Sequence, residues 1–98
     1  MDLLEFVREV RPDGIKVNYL HGKPHDVLVL VRRVIPAADL GKAVSAAEAL
    51  ASVWPFCTYQ ITETPEGCYS ASVEYRVKKE EMAKFCKLFP LRVNERDV

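Results

Sequence analysis

The segment that decides the fold is CTYQITETPEGCYSASVEY, residues 57–75. Apolar and polar residues alternate on both sides of a Pro-Glu-Gly loop, a pattern typical of two half-buried strands in a β-hairpin. A two-residue turn would put the two apolar sets on opposite faces of the sheet, whereas a three-residue loop puts them on one face. Such a loop favours positive φ at its last residue, Gly67. The predicted pairs are Thr64–Cys68, Ile61–Ala71 and Tyr59–Val73.

Hydrophobic periodicity predicts three elements at the start of the chain. Asp2 and Glu5 form a capping-box pattern, and apolar residues then recur at helical spacing until residues 12–14 end a short first helix. Residues 15–20 alternate like a half-buried strand. Residues 27–35 are almost continuously apolar and β-branched, which indicates a central strand of the sheet.

Two further helices flank the hairpin. Pro36 opens an alanine-rich helix that we expect to end near Trp54, just before Pro55. The last helix is expected from Lys78 to about Phe89. Its apolar stripe consists of Met82, Phe85, Cys86 and Phe89.

The resulting order is αββαββα in one α+β domain, residues 1–98. Short hairpins at each end and a right-handed crossover through the long helix predict a four-stranded antiparallel sheet in the order 1-2-4-3. Helices would cover one face. The alternative is a ferredoxin-like βαββαβ fold, with strands at 27–35, 57–64 and 68–76 and a short strand at 91–93.

Composition limits the classes of function. The 98 residues contain 14 Lys and Arg and 14 Asp and Glu, so the formal net charge is zero, and the pI is near 6.7. Generic binders of polyanions usually have a pI above about 9, so nucleic acid is not the expected partner. The longest apolar run, 27–31, is far shorter than the roughly 20 residues of a membrane span. The first residues lack a secretory pattern, and we expect a cytoplasmic protein.

The three cysteines, Cys57, Cys68 and Cys86, lack metal-ligand spacing, and the sequence predicts no metal and no cofactor. Free thiols are the expectation for a reducing cytoplasm. The predicted register turns Cys57 into the core and Cys68 outward. If any pair is bridged, it is therefore Cys57 with Cys86.

One loop and one surface are the candidate sites. The only cluster that resembles a ligand site consists of His21, Lys23, His25 and Asp26. It is either a solvated loop without a ligand or a weak contact for a metal or a phosphate. No catalytic constellation is recognisable, so the sequence favours a protein that is not an enzyme.

We expect the outer sheet face to combine apolar and hydroxyl-bearing residues, and such a face is seldom left fully exposed. The first helix or a second subunit would cover it, and the sequence favours a homodimer. The predicted interface residues are Val27, Val29, Val31, Thr58, Gln60 and Thr62.

Nucleic-acid binding through Arg32, Arg33, Lys16 and Lys23 is an alternative. Residues 67–75 have a passing likeness to the third-strand motif of RNA-recognition domains. In those domains bases stack on aromatic residues of the open sheet face. Tyr69 and Tyr75 share the core-facing set here, which argues against stacking on them.

The element order, the length and the alanine-rich helix that ends in a proline resemble the pterin carbinolamine dehydratases. These are small αββαββα proteins that form dimers and tetramers and act through a His-His-Pro motif and a further His. The corresponding residues are Val53-Trp54-Pro55 and, at the end of the last strand, Tyr75-Arg76-Val77. Only Pro55 matches, so the resemblance implies an assembly or binding role and carries over no catalytic residue.

The leading hypothesis is a non-catalytic α+β module that oligomerises or binds a protein partner. The alternatives are a pterin-dehydratase-like or other small-molecule pocket protein that uses the His21 loop, and a nucleic-acid-binding protein.

Overall fold

The computed structural model has the predicted α+β architecture and describes residues 3–10, 12–19 and 27–89. Its elements are α1 (Leu3–Val10), β1 (Gly14–Tyr19), β2 (Val27–Ala37), α2 (Leu40–Ala51), β3 (Cys57–Glu63), β4 (Tyr69–Lys78) and α3 (Met82–Leu88). The strands form one antiparallel sheet in the order β1-β2-β4-β3, which confirms the predicted order. Because β1 belongs to this sheet, the ferredoxin-like alternative is set aside.

The β3–β4 hairpin has the register predicted from its turn. Tyr59 lies opposite Val73 in the sheet. The Thr64 N–H donates to the Cys68 carbonyl at 2.8 Å, and the Gly67 N–H donates to the Thr64 carbonyl at 3.0 Å. Gly67 has φ +81°, a conformation that costs a residue with a Cβ about 1–2 kcal/mol.

The second helix begins later than the sequence suggested. Pro36 belongs to β2, and α2 begins at Leu40, where the Asp39 side chain accepts the Lys42 N–H at 2.8 Å. Proline is tolerated in β2 because of its position. The Val34 N–H points to the β1 side and donates to the Asp13 carboxylate at 2.6 Å. Pro36 follows two residues later on the same side, beyond the end of β1, so its missing N–H costs no ladder bond.

The ends of the later helices also differ from the prediction. α2 ends at Ala51, and Trp54 lies beyond it, buried, with its indole Nε1–H donating to the Arg76 carbonyl at 3.0 Å. A single 3₁₀ turn, Lys79–Glu81, precedes α3. The predicted stripe of α3 is confirmed, since Met82, Phe85 and Phe89 are at most 4% exposed.

All three helices pack on one face of the sheet around an aromatic cluster. Its members are Phe6, Trp54, Tyr75, Phe85 and Phe89, whose contacting rings have centroids 5.2–6.0 Å apart. Phe6 belongs to α1 and is 0% exposed. α1 therefore packs with α3 and does not cover the outer face, which corrects one of the two expectations for that face. We call the face opposite this cluster the open face.

Candidate functional site

The predicted ligand cluster lies outside the residues that the structure describes. His21, Lys23, His25 and Asp26 all fall within the segment 20–26. Across the ranges 3–10, 12–19 and 27–89, no group of three or more His, Cys, Asp and Glu side chains is arranged to hold a metal ion. The candidate site therefore has to be built from the sheet itself.

The apolar part of the open face differs from the predicted one. Val29 is 2% exposed and Val31 0%, because both lie under the helices. Val27 begins β2, and its side chain is outside the described part. Since side chains alternate along a strand, the open face instead carries Leu28, Leu30 and Val34, all half-buried. The run 27–31 is apolar at every position, so its alternation could not be read from the sequence.

The polar part of the open face lies where the register predicted it. Thr58, Gln60 and Thr62 are exposed on β3. Their partners on β4 are Glu74, Ser72 and Ser70, in that order. This end of the face is rich in hydroxyl groups and lies beside Val34, which is opposite Ser72.

Cations collect at the other end of the open face. Arg32, Arg76 and Lys78 are exposed there, together with one half-buried carboxylate, Glu74. Register also places the backbone of Lys16 opposite Leu30 on this side of the sheet. The predicted group of basic residues is thus divided, because Arg33 lies on the helix-covered face, where its Nε is buried without a hydrogen-bond partner among the described residues.

An exposed aromatic ring adjoins these cations. The Phe56 carbonyl accepts the Arg76 N–H at 2.8 Å, which continues the β3–β4 register by one residue. Phe56 therefore lies opposite Arg76 at the border of the open face, and it is 61% exposed. Sequence analysis missed this residue, although it directly precedes inward-facing Cys57 and so has the phase of the outward set.

The outer edge of β3, with which no described residue pairs, is a second candidate surface and is called the free edge of β3. The bonds Arg76 N–H to Phe56 and Thr64 N–H to Cys68 show that even-numbered residues of β3 pair with β4. In an antiparallel ladder the alternate residues point the other way. The backbone N–H and C=O groups of Cys57, Tyr59, Ile61 and Glu63 therefore face away from β4, at an edge of the sheet.

The cysteines are free thiols, so the Cys57–Cys86 bridge considered from sequence is not formed in this structure. Instead, the Cys57 Sγ–H donates to the Ala51 carbonyl at 3.4 Å, which turns this thiol toward the end of α2. Burial raises the pKa of both Cys57 and Cys86. Protonated thiols are poor nucleophiles at neutral pH. Cys68 is exposed beside the hairpin loop, as predicted.

Tyr75 links the sheet to α2 near the same edge. Its hydroxyl donates to the Leu50 carbonyl at 2.5 Å, and its ring is buried. Burial raises the pKa of Tyr75, and the nearby Cys57 raises it further, whereas Arg33 lowers it. Tyr75 lies opposite Cys57 in the register, so this bond holds β4 in place directly beside the start of β3.

Comparison with protein-family models, with curated proteins and with solved structures gave no match. None of the helices in the described part of the chain has the length and apolar character required to cross a membrane. The open face and the edge of β3 are therefore the two surfaces that point to a function.

Proposed function

We propose that this chain is an assembly module that pairs with a second copy of itself through the free edge of β3. Two four-stranded sheets would then continue as one sheet of eight strands. The observation that carries the proposal is the composition of this edge. Residues 57–62 contain no charge and no proline, and they include the β-branched and aromatic types that favour strands. An edge of this kind is a template for pairing with another strand.

The edge is complementary to itself in an antiparallel register centred on Gln60. Tyr59 then lies opposite Ile61 of the second copy, and Thr58 lies opposite Thr62 of the second copy. Aromatic–β-branched pairs and Thr–Thr pairs both stabilise antiparallel strands, by about 0.2–1 kcal/mol each. The backbone groups of Tyr59 and Ile61 are the ones that face outward, so this register also satisfies free donors and acceptors.

The distribution of charge favours the edge of β3, and not the open face, as the contact between copies. Glu63 is the only charged residue of β3, and in this register it lies opposite Cys57 of the second copy. The two Glu63 residues are then about 20 Å apart along the strands. By contrast, a face-to-face contact around a two-fold axis would bring two surfaces with excess positive charge together, which costs free energy.

Light scattering after size exclusion tests the proposal at 50–100 µM protein. The expected mass is twice that of the 11.1 kDa chain. Tyr59→Pro removes an N–H that faces the second copy and leaves the β3–β4 ladder intact, since proline is accepted on an edge strand. We expect Tyr59→Pro to be monomeric with an unchanged far-UV circular dichroism spectrum.

The matched control is Tyr59→Phe, which keeps the backbone N–H and the aromatic pair and is expected to remain dimeric. A monomeric wild type, or a folded Tyr59→Pro that stays dimeric, would overturn the proposal. If Tyr59→Pro fails to fold, lysine at both Thr58 and Thr62 serves as the second test, because both side chains are exposed.

A further inference from the structure

The net charge of zero hides a separation of charge across the molecule. Among the described residues of the open face, Arg32, Arg76 and Lys78 outnumber a single carboxylate, Glu74. Among the remaining described residues the balance is reversed, and carboxylates outnumber cations. A local basic surface therefore exists on a neutral chain, and its charge is complementary to a polyanion.

The three cations are exposed side chains. Arg32 lies opposite Glu74 in the register, but its side chain extends the other way, over Gly14. A Cβ built at Gly14 would lie 3.7 Å from both Cβ and Nε of Arg32, an ordinary contact distance, which places this side chain alongside Gly14. No hydrogen bond or ion pair engages the side chains of Arg32, Arg76 or Lys78 within the described ranges.

Apolar and aromatic groups lie among these charges. Leu28 and Leu30 are half-buried and lie opposite Lys78 and Arg76. Phe56 lies on the other side of Arg76 and is 61% exposed. Sheet faces with an aromatic ring and flanking cations suit single-stranded nucleic acid, because bases stack on the ring while the cations contact phosphates. The major groove of a duplex admits an α-helix or a two-stranded ribbon, and a four-stranded sheet face is wider than either, which disfavours double-stranded DNA.

We infer that the open face binds single-stranded nucleic acid, with Arg32, Arg76 and Lys78 on the phosphates and Phe56 stacked on a base. The hydroxyl-rich end, Thr58 to Thr62, offers hydrogen-bond partners to neighbouring bases. The cations of this site lie on β2 and β4, the stacking ring is Phe56, and the β3 side chains that take part lie on the open face. None of these groups belongs to the backbone edge of β3, so the site and the proposed dimer are tested separately.

Fluorescence anisotropy with a labelled 20-nucleotide oligo(dT) tests the inference in 50–200 mM salt. We expect the Arg76→Gln/Lys78→Gln double variant to bind about tenfold more weakly at 50 mM salt. We also expect its plot of log affinity against log salt to be shallower by about 1.4, because each phosphate contact on a single strand contributes about 0.7 to the slope.

The matched control is Lys84→Gln/Lys87→Gln, which removes the same charge from exposed positions of α3 on the other side of the molecule. It is expected to bind within twofold of wild type. Phe56→Ala should weaken binding to oligo(dT) but not to an abasic oligomer of equal length, since only the former has bases to stack.

Three results would overturn the inference. The first is that oligo(dT) does not bind at 50 mM salt. The second is that the two double variants lose equal affinity for oligo(dT). The third is that polyglutamate or anionic vesicles bind as tightly as oligo(dT). The last result would identify an acidic protein or a lipid surface as the partner. Light scattering of Arg76→Gln/Lys78→Gln should still give the dimer mass. Loss of nucleic-acid binding and loss of the dimer are therefore measured separately.

Discussion

The two edges of the sheet differ in how they are protected. β1 begins at Gly14, follows Pro12 closely and has Lys16 in its interior. β3 has seven residues and carries its only charge at its last residue, Glu63. Lysine and proline are the residues with which proteins discourage pairing at an edge. A sheet with one protected and one unprotected edge can add one partner and then stop, which favours a closed dimer over a fibre.

The largest loss of stability is expected from a cavity in the core that supports β4 and, through β4, supports β3. Phe85 is 0% exposed and contacts the rings of Phe6, Trp54, Tyr75 and Phe89. We expect Phe85→Ala to lower the free energy of unfolding by about 3–5 kcal/mol, because a buried aromatic leaves a cavity. Chemical denaturation measures the difference. Leu88→Ala, at a position of α3 that is 48% exposed, should cost less than about 1 kcal/mol.

If Phe85→Ala and Leu88→Ala cost the same, the aromatic cluster does not support the sheet as described. A destabilised variant should also lose the dimer at lower denaturant than wild type, because the edge of β3 exists only in the folded sheet.

A smaller effect is expected at Tyr75, which ties β4 to α2 beside Cys57. Tyr75→Phe removes the bond to the Leu50 carbonyl and should cost about 0.5–1.5 kcal/mol at neutral pH. Because burial raises the pKa of Tyr75 in the folded chain, its stabilising contribution is complete below the unfolded pKa of about 10. That contribution is lost as the pH rises from there toward the folded pKa.

Denaturation midpoints from pH 8 to 11 measure this dependence. Wild type should lose stability more steeply above pH 10 than Tyr75→Phe. Tyr59→Phe is the control, because Tyr59 is 51% exposed. Removal of its hydroxyl should leave the steep loss of stability above pH 10 unchanged. Equal slopes for wild type and Tyr75→Phe would contradict a buried, protonated Tyr75.

The fold was predictable from sequence chiefly where two local signals agreed. Loop length and Gly67 both required one hairpin register, which placed Thr58, Gln60 and Thr62 correctly. Which residues of β2 face the helices was not predictable from the strand itself, because a run that is apolar at every position shows no alternation. The packing of α1 was not predictable either, since an amphipathic helix is able to cover either face. The charge separation follows only once the register of β2 against β4 is known.

The most direct test of the self-paired edge introduces charged residues at Thr58 and Thr62 and measures the mass by light scattering. These residues form a pair without backbone hydrogen bonds in the proposed register, so their side chains approach closely. Thr58→Lys/Thr62→Lys places lysine against lysine across the two-fold axis and should give the 11.1 kDa monomer. Thr58→Lys/Thr62→Glu places lysine against glutamate twice and should give the dimer. If both double variants are dimers, or if both are monomers, the edge of β3 does not pair with a second copy in this register.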